Sequence, residues 1–328
     1  MIVDIHTHFM DTSYAPELVS KGYLELGSDR AVLKVKGISS VIYLEAGDIP
    51  GQIRAMDEAG LDMKVLSSPM VVNTVSSLLN ESSLKVAREL NDKIASIVEE
   101  YPNRLLGMAS INPFDAEHLD ELKRAVTELG LRGVCVDTSW DGEFLDSPKT
   151  RDFFKLVNNM GIPVFLHPPH LPLGYEKMKA YRLEEIVGRP FDTTMSVARM
   201  IYSGLFDKFQ KLKIILAHMG GAVLMLPGRM DFGYRLGYEG LPKDEEAKCK
   251  KLPSEYVKNF YVDTMGFWAP GIKLAIEVLG ADHVLLGTDY PNVLINPREH
   301  IEIVKSLKLS EEDEERILWK NAEKLFRI

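Results

Sequence analysis

The chain has 328 residues, of which 45% are hydrophobic and 27% are charged, and its formal net charge is −9. A nucleic-acid-binding surface needs a concentrated basic face, and the absence of one from this acidic sequence argues against such a partner. Its apolar runs are shorter than the roughly 18 residues that a membrane span needs. Polar residues interrupt the first apolar run, whereas the apolar region of a signal peptide is uninterrupted. We therefore expect a cytoplasmic protein that acts on a small molecule, without nucleic-acid or membrane partners.

The two cysteines, Cys135 and Cys249, are too few for a disulfide framework and are not spaced as a zinc-binding Cys-x-x-Cys pair. Cys135 lies in an apolar run and Cys249 in a lysine-rich segment. Proteins of oxidising compartments usually pair their cysteines, so this usage indicates a reducing compartment.

Eight short apolar segments along the chain are predicted as β-strands. In chain order they are Ile2–His8, Leu61–Ser68, Arg104–Ile111, Arg132–Val136, Ile162–His167, Leu212–His218, Tyr261–Asp263 and His283–Asp289. Their continuous apolar character is typical of a parallel sheet that is buried on both faces.

Helical patterns separate most of these strands, and several end at a glycine that can adopt the left-handed cap conformation. The predicted helices are Gln52–Ala59, Leu84–Tyr101, Ala116–Leu129, Ser147–Met160, Thr193–Phe206, a helix opening at Gly220, Gly271–Leu279 and two after the last strand, the final one from Ser310. Residues 9–50 and 168–190 show no such pattern. We predict that both are long irregular loops that line a site or contact a partner.

Eight strands that alternate with helices match the count of a (β/α)₈ barrel, which routinely reaches this length as one domain. The alternative is an open doubly wound sheet, but no predicted strand is followed by the Gly-x-Gly-x-x-Gly of its dinucleotide-binding form. The sequence therefore predicts an α/β protein with a (β/α)₈ TIM barrel, a single domain over residues 1–328, and long loops after the first and fifth strands.

Ionisable side chains end four of the predicted strands, where barrel enzymes carry their catalytic groups. His6 and His8 end the first strand, His167 the fifth, His218 the sixth and Asp289 the eighth. Each one alone is also compatible with an ordinary buried polar residue. Together they would be costly to bury without charge compensation, which a divalent cation supplies. A metal site is therefore predicted, and the other histidines are assigned to surface or capping positions: His118, His170, His283 and His300.

Several motifs resemble the amidohydrolase superfamily, specifically its branch similar to aminocarboxymuconate semialdehyde decarboxylase. They are His6-Thr7-His8, His167-Pro168-Pro169, Leu216-Ala217-His218-Met219-Gly220-Gly221 and Leu286-Gly287-Thr288-Asp289-Tyr290-Pro291. The resemblance covers nearly the whole chain. It implies that His6, His8, His167 and Asp289 are the metal ligands and that His218, with Asp289, is catalytic.

The resemblance also bears on the metal and the reaction. Many amidohydrolases hold two metals bridged by a modified lysine in the fourth strand, which here has no lysine, so one divalent ion is expected. Three imidazoles and a carboxylate favour Zn²⁺, with Mn²⁺ as the alternative and no organic cofactor. Some aromatic-acid decarboxylases of the branch have Glu where this chain has His6, which favours the semialdehyde-decarboxylase type. The expected reaction is non-oxidative decarboxylation of a small unsaturated or aromatic acid; the alternatives are a hydrolase of an amide, ester or lactone, and a hydratase.

Arg229 matches the Gly-Arg-x-Asp motif of the branch and is predicted to bind a substrate carboxylate, across the interface of a homodimer. A structural ion pair with Asp231 or another neighbour is the alternative. The identity of the substrate does not follow from the sequence.

Overall fold

A computed structural model describes residues 1–236, 242, 245–292 and 296–328. Thirteen strands are found in this part of the chain. They are β1 (Val3–His8), β2 (Leu24–Leu26), β3 (Arg30–Val35), β4 (Ile38–Tyr43), β5 (Met63–Ser67), β6 (Leu105–Ser110), β7 (Gly133–Asp137), β8 (Ser139–Trp140), β9 (Glu143–Phe144), β10 (Pro163–His167), β11 (Lys213–Leu216), β12 (Phe260–Asp263) and β13 (Val284–Leu285).

Eight of these strands form one sheet in the order β1-β5-β6-β7-β10-β11-β12-β13, and each paired strand in it is parallel to its neighbour. Backbone hydrogen bonds join its two edges: the Ile5 N–H donates to the Leu286 carbonyl at 3.0 Å, and the His8 N–H donates to the Tyr290 carbonyl at 2.8 Å. The predicted eight-stranded barrel is therefore confirmed. Its last strand is shorter than predicted, since residues 286–289 continue beyond β13 without ladder pairing.

Fourteen α-helices are found in the described part of the chain, and most of them pack their apolar faces on the outside of the barrel. They are α1 (Ala15–Ser20), α2 (Ile49–Ala59), α3 (Val71–Leu79), α4 (Ser83–Glu100), α5 (His118–Thr127), α6 (Arg151–Met160), α7 (Arg189–Tyr202), α8 (Leu205–Lys208), α9 (Pro227–Arg235), α10 (Pro253–Val257), α11 (Ala269–Leu279), α12 (Pro297–Ser306), α13 (Glu311–Glu315) and α14 (Asn321–Phe326). None of the described helices is long and apolar enough to cross a membrane.

Apolar side chains fill the inside of the barrel, and the C-terminal helix closes one end of it. Val3, Ile5 and Phe165 belong to this interior cluster, which also includes Leu325 and Phe326 of α14. The helix lies at the end where the strands begin, so the carboxyl ends of the strands remain available for a site.

A break in the pairing of β1 directs its histidines into the barrel. The register of β1 against β5 shifts between Asp4 and Thr7. In a regular strand, alternation would send His6 to the same face as Asp4, opposite Ile5. The shift allows both Ile5 and His6 to face the interior, where the His6 ring contacts Phe165 at a centroid distance of 4.9 Å.

The prediction that residues 9–50 are irregular was wrong. They contain α1 and an antiparallel sheet in which β3 pairs with both β2 and β4. Ala31, Leu33 and Val35 alternate with more exposed residues along β3 and are buried against α1 and α3. This alternation is a readable strand signal. The connection at Lys36-Gly37 has positive φ at both positions but lacks the Asn-Gly or Asp-Gly pair that usually marks such a hairpin.

Candidate metal centre

Four side chains predicted as metal ligands lie together at the carboxyl end of the barrel. One ligand atom from each of His6, His8, His167 and Asp289 lies within 4.8 Å of the others, and all four residues are buried. The Nε2 atoms of His6 and His8 are 3.2 Å apart, and His8 Nε2 is 2.5 Å from Asp289 Oδ1. Three imidazoles and one carboxylate at this spacing form a donor set suited to a divalent transition metal.

Burial and mutual interaction strongly perturb the pKa values of this cluster. Burial alone would lower the pKa of His6, but the Asp289 and Asp263 carboxylates outweigh it and raise the pKa to about 10. Burial would raise the pKa of Asp289, yet the His6 and His8 imidazoles hold it well below its usual range. Burial and the other imidazoles lower the pKa of His167 far below the ordinary histidine value.

Asp263 orients the first histidine of the cluster, a role not predicted from the sequence. The His6 Nδ1–H donates to Asp263 Oδ2 at 2.6 Å, which leaves Nε2 free to face the other ligands. The backbone N–H groups of His218 and Met219 also donate to Asp263, at 3.0 and 2.8 Å. A carboxylate behind a ligating histidine fixes its tautomer and strengthens it as a ligand. Because Asp263 ends the seventh predicted strand, its position was a usable signal.

We expect Asp263→Asn to weaken metal binding by about 10- to 100-fold, the usual effect of losing the carboxylate partner of a ligating histidine. Titration of the metal-free protein with Zn²⁺ in a competing chelator would measure it. Thr264→Ser, at the next and equally buried residue, is the matched control and should bind Zn²⁺ normally. Unchanged Zn²⁺ affinity in Asp263→Asn would contradict the orienting role.

Close backbone packing and unusual backbone angles hold the site together. A Cβ on Gly287 would approach the Cβ atoms of both His6 and Asp263 to 2.8 Å, so only glycine fits between them. Asp289 and His218 have φ values of 61° and 54°, in the left-handed region that non-glycine residues rarely adopt. Such angles cost on the order of 1–3 kcal/mol each and are concentrated at functional sites.

His218 lies beside the cluster, but not in the way the sequence predicts. β11 ends at Leu216, and His218 belongs to a short turn after it. Its Nε2 is 3.4 Å from Asp289 Oδ2, and its buried Nδ1 has no hydrogen-bond partner among the described residues. His218 is therefore adjacent to the Asp289 oxygen that does not face His8, as a proton-transfer group beside a metal would be.

The chain matches the amidohydrolase family over residues 3–328. It belongs to this family. It is 30% identical to 2-amino-3-carboxymuconate-6-semialdehyde decarboxylase of Dictyostelium discoideum, over 98% of this chain and 90% of that protein. It is 32% identical to γ-resorcylate decarboxylase of a Polaromonas species, over 84% of this chain and 86% of that protein.

A solved structure of dihydroxybenzoic acid decarboxylase from Polaromonas, with bound manganese and the inhibitor 2-nitroresorcinol, superposes on this amidohydrolase with a TM-score of 0.75. The sequences are 25% identical, and the match covers 99% of this chain and 96% of that one. The predicted family and barrel architecture are thus confirmed by independent comparisons.

The fourth strand of the amidohydrolase ends in an aspartate and not in a lysine. The Asp137 carboxylate accepts a hydrogen bond from the Met70 N–H at 2.9 Å, and burial raises its pKa to about 7. Asp137 is not part of the four-residue cluster, which is the one group of at least three potential metal ligands found close together among the described residues.

A cavity opens next to the cluster and is lined by His8, His167 and Asp289. Arg229, the predicted substrate-binding residue, lies exposed on α9 and is not among the residues that line this cavity. Arg189, at the start of α7, does line it. Arg189 was not predicted from the sequence, because it follows a segment without periodicity.

The assignment of the four remaining histidines to surface or capping positions was wrong for three of them. His118, His170 and His300 are buried. His118 has a structural role, since its Nδ1 accepts from the Asn112 N–H at 3.2 Å and its Nε2 is 3.0 Å from Ser83 Oγ.

Proposed function

We propose that this amidohydrolase is a metal-dependent, non-oxidative decarboxylase of a small unsaturated or aromatic carboxylic acid. The observation that carries the proposal is the buried cluster of three histidines and an aspartate, with His218 next to the aspartate. Similarity to two decarboxylases over most of the chain supports the reaction class. We propose that residues 1–328 form one catalytic domain and that the reaction needs no organic cofactor.

We assign His6, His8, His167 and Asp289 as ligands of one divalent ion. A set of three nitrogen donors and one oxygen donor favours Zn²⁺, and Mn²⁺ is the alternative because a relative contains it. When bound, the ion supplies positive charge that orients a substrate carboxylate or its neighbouring oxygen.

Decarboxylation replaces a carboxylate on carbon with a proton, so the protein must deliver one proton while the carbon–carbon bond breaks and CO₂ leaves. We assign this delivery to His218, whose Nε2 faces Asp289 Oδ2 at 3.4 Å. Asp289 keeps the imidazole in place through this oxygen while its other oxygen faces His8. After CO₂ departs, His218 takes up a new proton from solvent, to which 13% of its side chain is exposed.

Hydrolysis of an amide, ester or lactone is the main alternative, since the same site could direct water at a carbonyl, and hydration is a further one. We expect CO₂ release from at least one member of a panel of hydroxybenzoates and muconate semialdehydes, and no turnover of matched lactones and amides. Chromatography of the products and a CO₂ assay on the metal-loaded protein test this. Turnover confined to the lactone and amide panel would reject decarboxylation.

We further propose a homodimer in which Arg229 binds a substrate carboxylate in the partner's site. Exposed apolar side chains on or beside α9 support this arrangement: Met225, Phe232 and Leu236. Met225 and Phe232 are four and three positions from Arg229, and Leu236 is four positions after Phe232, so they share one helix face with Arg229. An exposed apolar stripe of this kind is typical of an interface. We also propose a reducing, cytoplasmic location, which the two free cysteines support.

Light scattering should give twice the mass of one chain for the wild type, and Phe232→Glu should reduce the measured mass to that of the monomer.

Arg229→Gln is expected to raise KM by about 10-fold or more, because a charge-assisted hydrogen bond to substrate is lost. Arg235→Gln, exposed on the same helix, is the matched control with unchanged KM. A monomeric wild type, or normal KM in Arg229→Gln, would contradict this arrangement.

A further inference from the structure

The cavity beside the metal cluster combines two kinds of wall. His8, His167 and Asp289 form one part, and aliphatic side chains such as Leu33, Ile42 and Val75 form much of the rest. An apolar wall suits the carbon skeleton of a substrate, so any charged group within the cavity stands out as a determinant of specificity.

Arg189 is such a group. It is the first residue of α7, is partly buried and lines the cavity. Its Nε is buried and has no hydrogen-bond partner among the described residues. Buried donors of this kind are rare in native proteins and require an explanation, such as a ligand that is bound during function.

Two carboxylates that line the cavity accept hydrogen bonds from residues other than Arg189. Glu185 also lines the cavity, but Arg182 donates to it from Nε at 3.1 Å and from Nη2 at 2.5 Å. Asp11, another lining residue, accepts from the Ser13 N–H at 3.0 Å and from its hydroxyl at 2.8 Å. Within the described part of the chain, no carboxylate forms an ion pair with Arg189.

The His170 imidazole is a neighbour of the Arg189 guanidinium. It lines the same cavity, and its Nε2 is 3.5 Å from Ser40 Oγ. Burial, together with the neighbouring Arg189 guanidinium, lowers the pKa of His170 to about 3. The imidazole is therefore neutral in the working pH range and adds no second positive charge beside Arg189.

We propose that Arg189 is a specificity-determining residue that binds a second carboxylate of the substrate, away from the carboxylate that is lost as CO₂. The planar guanidinium matches a carboxylate with two parallel hydrogen bonds, which gives orientation as well as affinity. The group bound by Arg189 does not react and stays on the product. This inference rests on the proposed function for the reacting carboxylate, but the binding of the second one is measurable without turnover.

A pair of ligands of nearly identical shape isolates this interaction. Isophthalate carries two carboxylates, and monomethyl isophthalate carries one carboxylate and one neutral ester. Calorimetric titration of the zinc-loaded, full-length protein with each ligand gives the ratio of the two dissociation constants. We expect the wild type to bind isophthalate about 10- to 100-fold more tightly than the monoester, as for a charge-assisted pair in a partly buried site.

Arg189→Gln should bring this ratio to within about 2-fold of unity, through loss of isophthalate affinity alone, while Arg189→Lys should keep part of the preference. The matched control is Arg199→Gln on the same helix, since Arg199 is bound to Asp146 at 2.8 and 2.9 Å outside the cavity. That variant should keep the wild-type ratio. Zinc content, measured in every variant, should be unchanged.

A wild-type ratio near unity, or an unchanged ratio in Arg189→Gln, would overturn the inference. Equal losses of affinity for isophthalate and for the monoester in Arg189→Gln would also overturn it, because they would indicate a purely structural role for Arg189. If Arg189→Gln does not fold, the ratio of the two dissociation constants in the wild type still tests whether the cavity binds a second carboxylate. Failure of the proposed function would show differently, as an absence of CO₂ release from the acid panel while the preference for isophthalate persists.

Discussion

Replacing His167 with alanine is expected to empty the site of metal and to abolish catalysis. His167 is buried at the end of β10, and its Nδ1–H donates to the Pro168 carbonyl at 2.8 Å, which directs Nε2 to the cluster. The variant keeps only three ligands and has a cavity in place of the imidazole ring. Its affinity for the metal should therefore fall by more than about 100-fold, the upper end of the loss seen when a hydrogen-bond partner of a ligand is removed. Elemental analysis of the purified variant, beside an activity assay, measures both effects.

The same experiment counts the ions in the wild type. We expect one divalent ion per chain, activity lost on chelation, and activity restored by Zn²⁺ or Mn²⁺. His283→Ala is the matched control, because His283 precedes β13 at the opposite end of the barrel and its ring stacks on Tyr261. Two ions per chain, or a His167→Ala protein that keeps its metal, would contradict the ligand assignment.

Replacing His218 with asparagine should leave the metal content normal but lower the turnover rate. The amide retains hydrogen-bonding capacity next to Asp289 but cannot deliver a proton. We expect kcat to fall by about 10²- to 10⁴-fold, the usual contribution of a general acid or base. Steady-state kinetics and elemental analysis of the purified variant measure the two properties.

The two histidine variants together separate a ligand from a proton-transfer group. His218 and His167 rings lie at a centroid distance of 5.0 Å, so proximity alone does not distinguish their roles. If His218→Asn loses its metal as His167→Ala does, His218 is a ligand. If it keeps both metal and full turnover, the proton comes from another group, and Asp289 is the first candidate.

The sequence by itself determined the barrel and the residues of the cluster. Strand and helix patterns are local, and a parallel strand buried on both faces must be apolar throughout, so eight such segments could be recognised one by one. An ionisable residue at the end of such a strand is easily recognised, because the rest of the strand is apolar. His6, His8, His167, His218 and Asp289 could therefore be grouped by their positions along the chain, and the fold brings together the four that the family resemblance implies as ligands.

The tertiary structure decided the contacts that orient those residues. His6 and Asp263 are 257 positions apart, and their hydrogen bond exists only because β1 and β12 converge in the closed barrel. The register shift in β1, which turns His6 inward after Ile5, depends on pairing with β5. Arg189 follows an aperiodic segment, and only the fold brings it to the cavity of the metal cluster. Local patterns determine which elements form, whereas the geometry of the site depends on distant segments that meet only on folding.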